Sequence, residues 1–205
     1  MNTRAWTLIL AISLPLAVPA QEAKPSIERS SKTSAVPYIE MTDLIEKVAK
    51  RTGKQFIVDP RVRASVRLVG FGTGDVDYQR LLAILRVHAF VAVEENGFVT
   101  VVPDAGARQL AVATHFGLGF EALDDELVTV ILEVKNTCAA QLVPVLRPLM
   151  PQAAHMAADL QSNSLIINDR ASNVRRIGDV VERLDRATPA GRICEPPASA
   201  GGAPK

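Results

Sequence analysis

Between Val128 and Lys135, apolar Val128, Val130, Leu132 and Val134 alternate with Thr129, Ile131, Glu133 and Lys135, the two-residue period of a strand. Asn136 and Thr137 follow, with side-chain oxygens suited to capping a helix. Leu142, Val145, Leu146 and Leu149 then recur at helical spacing, and Pro151 lies just beyond, where a helix should have ended. A Ser162-Asn163-Ser164 turn leads into Leu165-Ile166-Ile167, a short buried strand. Ser172 or Asn173 is placed to cap a last helix, with Val174, Ile177, Val181 and Leu184 on one face. The pattern over residues 128–185 is βαββα. It describes a small packing module and holds no catalytic constellation.

Arg4, then the mostly apolar run from Trp6 to Val18, then Val18-Pro19-Ala20, have the form of an export signal cut after Ala20. The run is shorter than the roughly 20 apolar residues of a membrane anchor and is broken at Pro15. Removing Arg4 with this segment leaves the 22 acidic residues matched by as many basic ones. Such a balance offers no electrostatic attraction for nucleic acid or an anionic membrane surface. Cys138 and Cys194 would meet an oxidising compartment, where a disulfide and two separate thiols both remain open.

Residues 21–35 are rich in Ser, Lys and Glu without apolar period and are expected to be a flexible arm. A first domain is expected over residues 36–103. Pro37 to Met41 could form a short strand, and Thr42 caps a helix with Leu44, Ile45, Val48 and Ala49 inward until Gly53 stops it. Gln55 to Val58 and Val66 to Val69 read as strands. Asp75 or Asp77 caps a helix with Tyr78, Leu81, Leu82 and Leu85 as its stripe. Phe90 to Glu94 and Phe98 to Val102 flank Asn96-Gly97, a hairpin signal because that pair tolerates positive φ. Residues 104–126 lack a sustained period and read as a linker. The second domain spans 127–187, and the Pro-, Ala- and Gly-rich residues 188–205 read as a disordered tail. The fold class is therefore α+β, two small tandem domains.

His88, His115 and His155 have no Cys, Asp or Glu at metal-ligand spacing. Asp124-Asp125-Glu126 lacks the alternating oxygen ligands of a calcium loop and reads as solvation of a linker. Gly70-Phe71-Gly72-Thr73-Gly74 is not followed by Gly-Lys-Ser/Thr, so it reads as a glycine turn rather than a phosphate loop. No serine sits in a nucleophile elbow. Arg175-Arg176 reads as the solvated face of a helix. No catalytic residue, cofactor, metal or small-molecule substrate is expected.

Ile57-Val58-Asp59-Pro60, Val62 and Val66-Arg67-Leu68, with Phe90, Asn96-Gly97 and Val99 to Val102, resemble the first periplasmic domain of type II secretion secretins. Related domains begin certain TonB-dependent receptors. Val134, Ala140, Leu142, Leu146, Pro148, Asn163, Leu165-Ile166-Ile167, Asp169, Asn173 to Ile177 and Leu184-Asp185 resemble the NolW-like secretin repeat, which has a KH-like topology. Ala64 stands where the family usually has glycine. The Gly-x-x-Gly clamp of nucleic-acid-binding KH domains is missing, which with the neutral charge argues against nucleic acid.

The resemblance implies a periplasmic, non-enzymatic protein that docks onto a secretin ring or an inner-membrane platform component, and that forms homo- or hetero-oligomers. No strands for an outer-membrane gate follow the single repeat, so a docking subunit is expected rather than a channel. A split secretin, an adaptor and a truncated remnant all fit, and a receptor-type signalling module is the alternative. Small α+β domains expose sheet edges that accept a strand. On the resemblance, Val66, Leu68, Phe90, Val99 and Val101 mark the candidate partner-docking surface.

Overall fold

The computed structural model describes residues 37–185. The export signal, the arm at 21–35, Cys194 and the tail at 188–205 lie outside the described residues.

The first half runs β1 (Ile39–Glu40), α1 (Met41–Thr52), β2 (Gln55–Val58), β3 (Ser65–Val66), α2 (Tyr78–Val87), β4 (Phe90–Glu95) and β5 (Phe98–Pro103). Helix α1 begins at Met41, one residue before the expected Thr42 cap. Its first N–H is satisfied by tertiary pairing, Met41 donating to the Ala64 carbonyl at 2.9 Å. Gly53 ends it in the left-handed region at φ 71°, its N–H donating to Ala49. At α2 the cap is Asp77, which accepts from the Arg80 N–H at 2.7 Å. Asp75 instead accepts from Gly72 N–H at 2.9 Å.

The β4–β5 turn places Asn96 at φ 52° and Gly97 at φ 83°, the positive angles that a tight hairpin needs. Strand β2 adds in parallel to β5, giving the order β2-β5-β4. The expected strand over Val66 to Val69 is shorter: β3 holds only Ser65 and Val66 and pairs with β1 apart from that sheet. One face of the three-stranded sheet packs on α1 and α2 through Leu44, Val48, Leu81, Leu85, Val99 and Val101.

Residues 104–126 carry more structure than a linker reading expects. Asp104–Gln109 forms 3-10 turns, and β6 (Thr114–Phe116) pairs in parallel with β7 (Leu127–Glu133). Then come α3 (Ala139–Leu146), a 3-10 turn at Arg147–Leu149, β8 (His155–Asp159), β9 (Ser164–Arg170) and α4 (Ala171–Leu184). The sheet order is β6-β7-β9-β8, and both helices cover one face over Val128, Val130, Leu165 and Ile167.

The expected caps at Asn136 or Thr137 and at Ser172 or Asn173 are not used. Cys138 and Arg170 hold the N-cap positions without side-chain cap bonds, and α4 starts early enough to put Ser172 and Asn173 inside it. The α4 entry is satisfied by main chain: Ala171 and Ser172 N–H groups donate to Glu126 and Asp124 carbonyls, both at 2.9 Å. Leu142 and Leu146 are buried, whereas Val145 and Leu149 are exposed. The 3-10 winding after Leu146 carries Leu149 off the stripe, and Met150 fills the core instead. Cys138 is buried and disulfide-bonded, so it is not a free thiol.

Candidate functional site

Val66, Leu68, Phe90, Val99 and Val101, expected to mark a docking surface, are all buried in the first core. The cause is strand alternation: their side chains point to the α1 and α2 side of the sheets. Strand β5, which carries Val99 and Val101, is also paired on both edges, to β2 and β4, so it cannot accept another strand. These five side chains therefore build the fold and not its surface.

The residues between them face outward. Val69 and Phe71 are 71% and 42% exposed, and Tyr38, at 65%, lies beside the β1–β3 pair. The Arg67 guanidinium sits 4.4 Å from the centroid of the Tyr38 ring, a cation–π contact at the surface. Within the described residues β1 and β3 pair only with each other, so each keeps an open edge. The sequence signal for this patch was available, because alternation that turns Val66 and Leu68 inward turns Arg67 and Val69 outward. Tyr38 and Phe71 had no periodic signal, lying in short irregular segments.

The outer face of the β4–β5 hairpin is used differently. Val91, Val93 and Val102 are covered by Ala107, Leu110, Val112 and Leu127, a third apolar cluster that joins the two halves of the chain. Beside it Arg170, with a side chain only 5% exposed, pairs with Asp104 at 3.1 Å. The same guanidinium donates to the Phe90 carbonyl at 3.2 Å. Its neighbour Asp169 accepts from the Arg170 N–H at 2.7 Å and from the Asn173 side-chain amide. Burial pushes the Asp169 carboxyl up from its ordinary value, against those bonds and the nearby arginine charge. At the other end of the connection Arg86 of α2 pairs with Asp125 at 2.8 Å.

Asp124, Asp125 and Glu126 are thus engaged rather than merely solvating. Asp124 pairs with Arg175 at 3.0 Å, and Glu126 accepts from the Leu123 N–H, also at 3.0 Å. Arg175 further donates to the Ala122 carbonyl and lies over the Phe120 ring, while Arg176 reaches the Asn173 side chain and the Leu149 carbonyl. Both arginines bind their own chain. His88 ends α2, His115 stacks on Phe120 with ring centroids 4.9 Å apart, and His155 opens β8. Among the described residues no group of three or more His, Cys, Asp or Glu is placed to hold a metal ion, and no helix is long and apolar enough to cross a membrane.

Residues 37–101 match the GspD-like N0 domain, and residues 129–190 match the bacterial type II/III secretion system short domain. Secretin XcpQ of Pseudomonas aeruginosa is 31% identical over 197 residues, which cover 90% of this chain and 29% of XcpQ. Secretin GspD of Vibrio cholerae is 31% identical over 153 residues, covering 72% of this chain and 23% of GspD. The chain therefore spans under a third of the length of these relatives. Among solved structures it resembles a chain of the Klebsiella pneumoniae type II secretion system outer membrane complex of PulD, PulS and the PulC HR domain. That likeness has a TM-score of 0.63 at 26% identity, over 75% of this chain and 26% of that one. Two adjacent domain matches in secretin order, on a tandem α+β fold, place the chain among the N-terminal domains of type II secretion secretins.

Proposed function

We propose that this protein is a periplasmic, non-enzymatic component or accessory of a type II, or related, protein secretion system. It acts by docking to a secretin ring or to an inner-membrane platform protein. The observation that carries this reading is the open β1–β3 pair with Tyr38, Arg67, Val69 and Phe71 exposed around it, on a domain of the N0 type. An unpaired strand edge offers main-chain donors and acceptors to an added strand, and neighbouring apolar side chains supply the area that makes it specific. The Klebsiella assembly that this fold resembles contains PulS and the PulC HR domain besides PulD, which supports a docking role.

The test is capture of partners from detergent-solubilised envelopes by the tagged exported chain, with bound proteins identified by mass spectrometry. Recovery of a secretin or platform component, abolished by Tyr38→Ala with Val69→Asp, is the expected result. A TonB-dependent receptor in their place would move the assignment to signalling, and recovery unaffected by the substitutions would remove the β1–β3 surface from it.

A further inference from the structure

The segment that joins the two domains is gripped at both ends, and each grip comes from the far side. Asp104, directly after β5 of the first domain, is held by Arg170 of β9 in the second. Asp125, two residues before β7 of the second domain, is held by Arg86 of α2 in the first. Leu110 and Val112 between the grips, and Leu127 just past the second, lie over the apolar outer face of the hairpin. The two grips differ physically. Arg86 is 49% exposed, so its pair is screened by salt and adds little. Arg170 is almost wholly buried and satisfied by an acceptor from each of two places, the Asp104 carboxylate and the Phe90 carbonyl.

A buried ion pair adds little net stability compared with apolar packing, because both charges lose water. It is directional, however: another alignment of the domains separates the guanidinium from both of its acceptors, the Asp104 carboxylate and the Phe90 carbonyl. Apolar burial, by contrast, is a non-directional attraction. The junction therefore combines an undirected adhesive with a directed lock.

We propose that Arg170 and Arg86 form a two-point clamp that locks the two domains in one alignment and holds the hairpin face of Val91, Val93 and Val102 closed. Arg170 sets the alignment, and Arg86 is its salt-sensitive second point. Opening the clamp frees the domains to turn independently and uncovers that apolar face. The inference stands on the junction and does not depend on which secretion protein the β1–β3 surface binds.

Nitrogen-15 relaxation of the full exported chain tests it, with amide hydrogen exchange as a second readout. The wild type should tumble as one body. Arg170→Met keeps length and apolar volume but removes the lock. It should give the two domains separate correlation times and speed exchange at Leu110 and Val112 at least tenfold, with exchange in α1 and α4 unchanged. Arg86→Ala should give a smaller increase at the same amides, matched in the wild type by high salt. Arg170→Met tumbling as one body, with wild-type exchange, would overturn the clamp. If that variant fails to fold, Asp104→Asn at the start of the 3-10 turn is read by the same two outcomes.

Discussion

The side chain of Asn163 caps a helix that starts 24 residues before it, its Oδ1 accepting the Ala139 N–H at 2.8 Å. The same amide group donates to the Val134 and Thr137 carbonyls, so it ties the end of β7, the start of α3 and the β8–β9 turn together. Asn163 holds φ 48°, a left-handed angle that asparagine tolerates better than most residues. Asn163→Ala should lose about 1–3 kcal/mol, from unsatisfied main-chain groups and the strained turn. Asn163→Gly should recover only the turn strain. Urea denaturation of both variants separates the two contributions.

Asp185 acts in the same way from the other end of the domain. Its carboxylate accepts the N–H groups of Lys135, Asn136 and Thr137 at 2.7, 2.6 and 2.7 Å, a small anion nest that joins the end of α4 to the loop before α3. Asp185→Ala should lower the midpoint of thermal unfolding and speed hydrogen exchange at residues 135–137 before it affects α4. Unchanged exchange at those three amides would refute this role.

Gly178 leaves room for Leu118: a Cβ built at that position would lie 2.4 Å from the Leu118 Cδ1. Gly178→Ala should therefore displace Leu118 from α4, offsetting the gain of about 1 kcal/mol that alanine brings to a helix interior. In a Leu118→Ala background the clash is gone, and the same substitution should stabilise by about that full amount. A double-mutant cycle in thermal unfolding reads the difference.

Two carboxylates should shape the acid limb of stability in opposite senses. Arg61, through its side chain and then its main-chain N–H, lowers Asp59 from 3.8 to about 2. Its contribution is present above 3.8 and is lost as pH falls through about 2. Asp169 is raised above 3.8 by burial, so its favourable contribution is full below 3.8 and is lost as pH rises through the folded value. Asp59→Asn should flatten the loss of stability between 3.8 and about 2, whereas Asp169→Asn should steepen the net loss just above 3.8. Denaturant titrations across that range check both signs.

Spacing along the chain was enough to place α1, β2, the Asn96-Gly97 hairpin, β7 and the βαββα order. Each of these is set by contacts within a few residues, or by a period that turns one side inward. The inward stripe of α4 over Val174, Ile177 and Val181 was legible for the same reason. Helix entries were not, except at Asp77, because α1, α3 and α4 take their N-terminal acceptors from Ala64, Asn163, Asp124 and Glu126. Polar residues beside those helices gave a local signal that the fold did not use. Among the candidate docking residues the apolar side chains mark the buried side of their strands, and exposure lies one residue away, at Arg67 and Val69.

Periodicity therefore determined which segments become helix or strand and which side chains turn inward, since both follow from the geometry of adjacent residues. The alignment of the two domains, the covered hairpin face and the burial of Arg170 were decided only when distant segments met. An ion pair between residues 66 positions apart leaves no period in the sequence, and its energy depends on the solvent that both partners lose together.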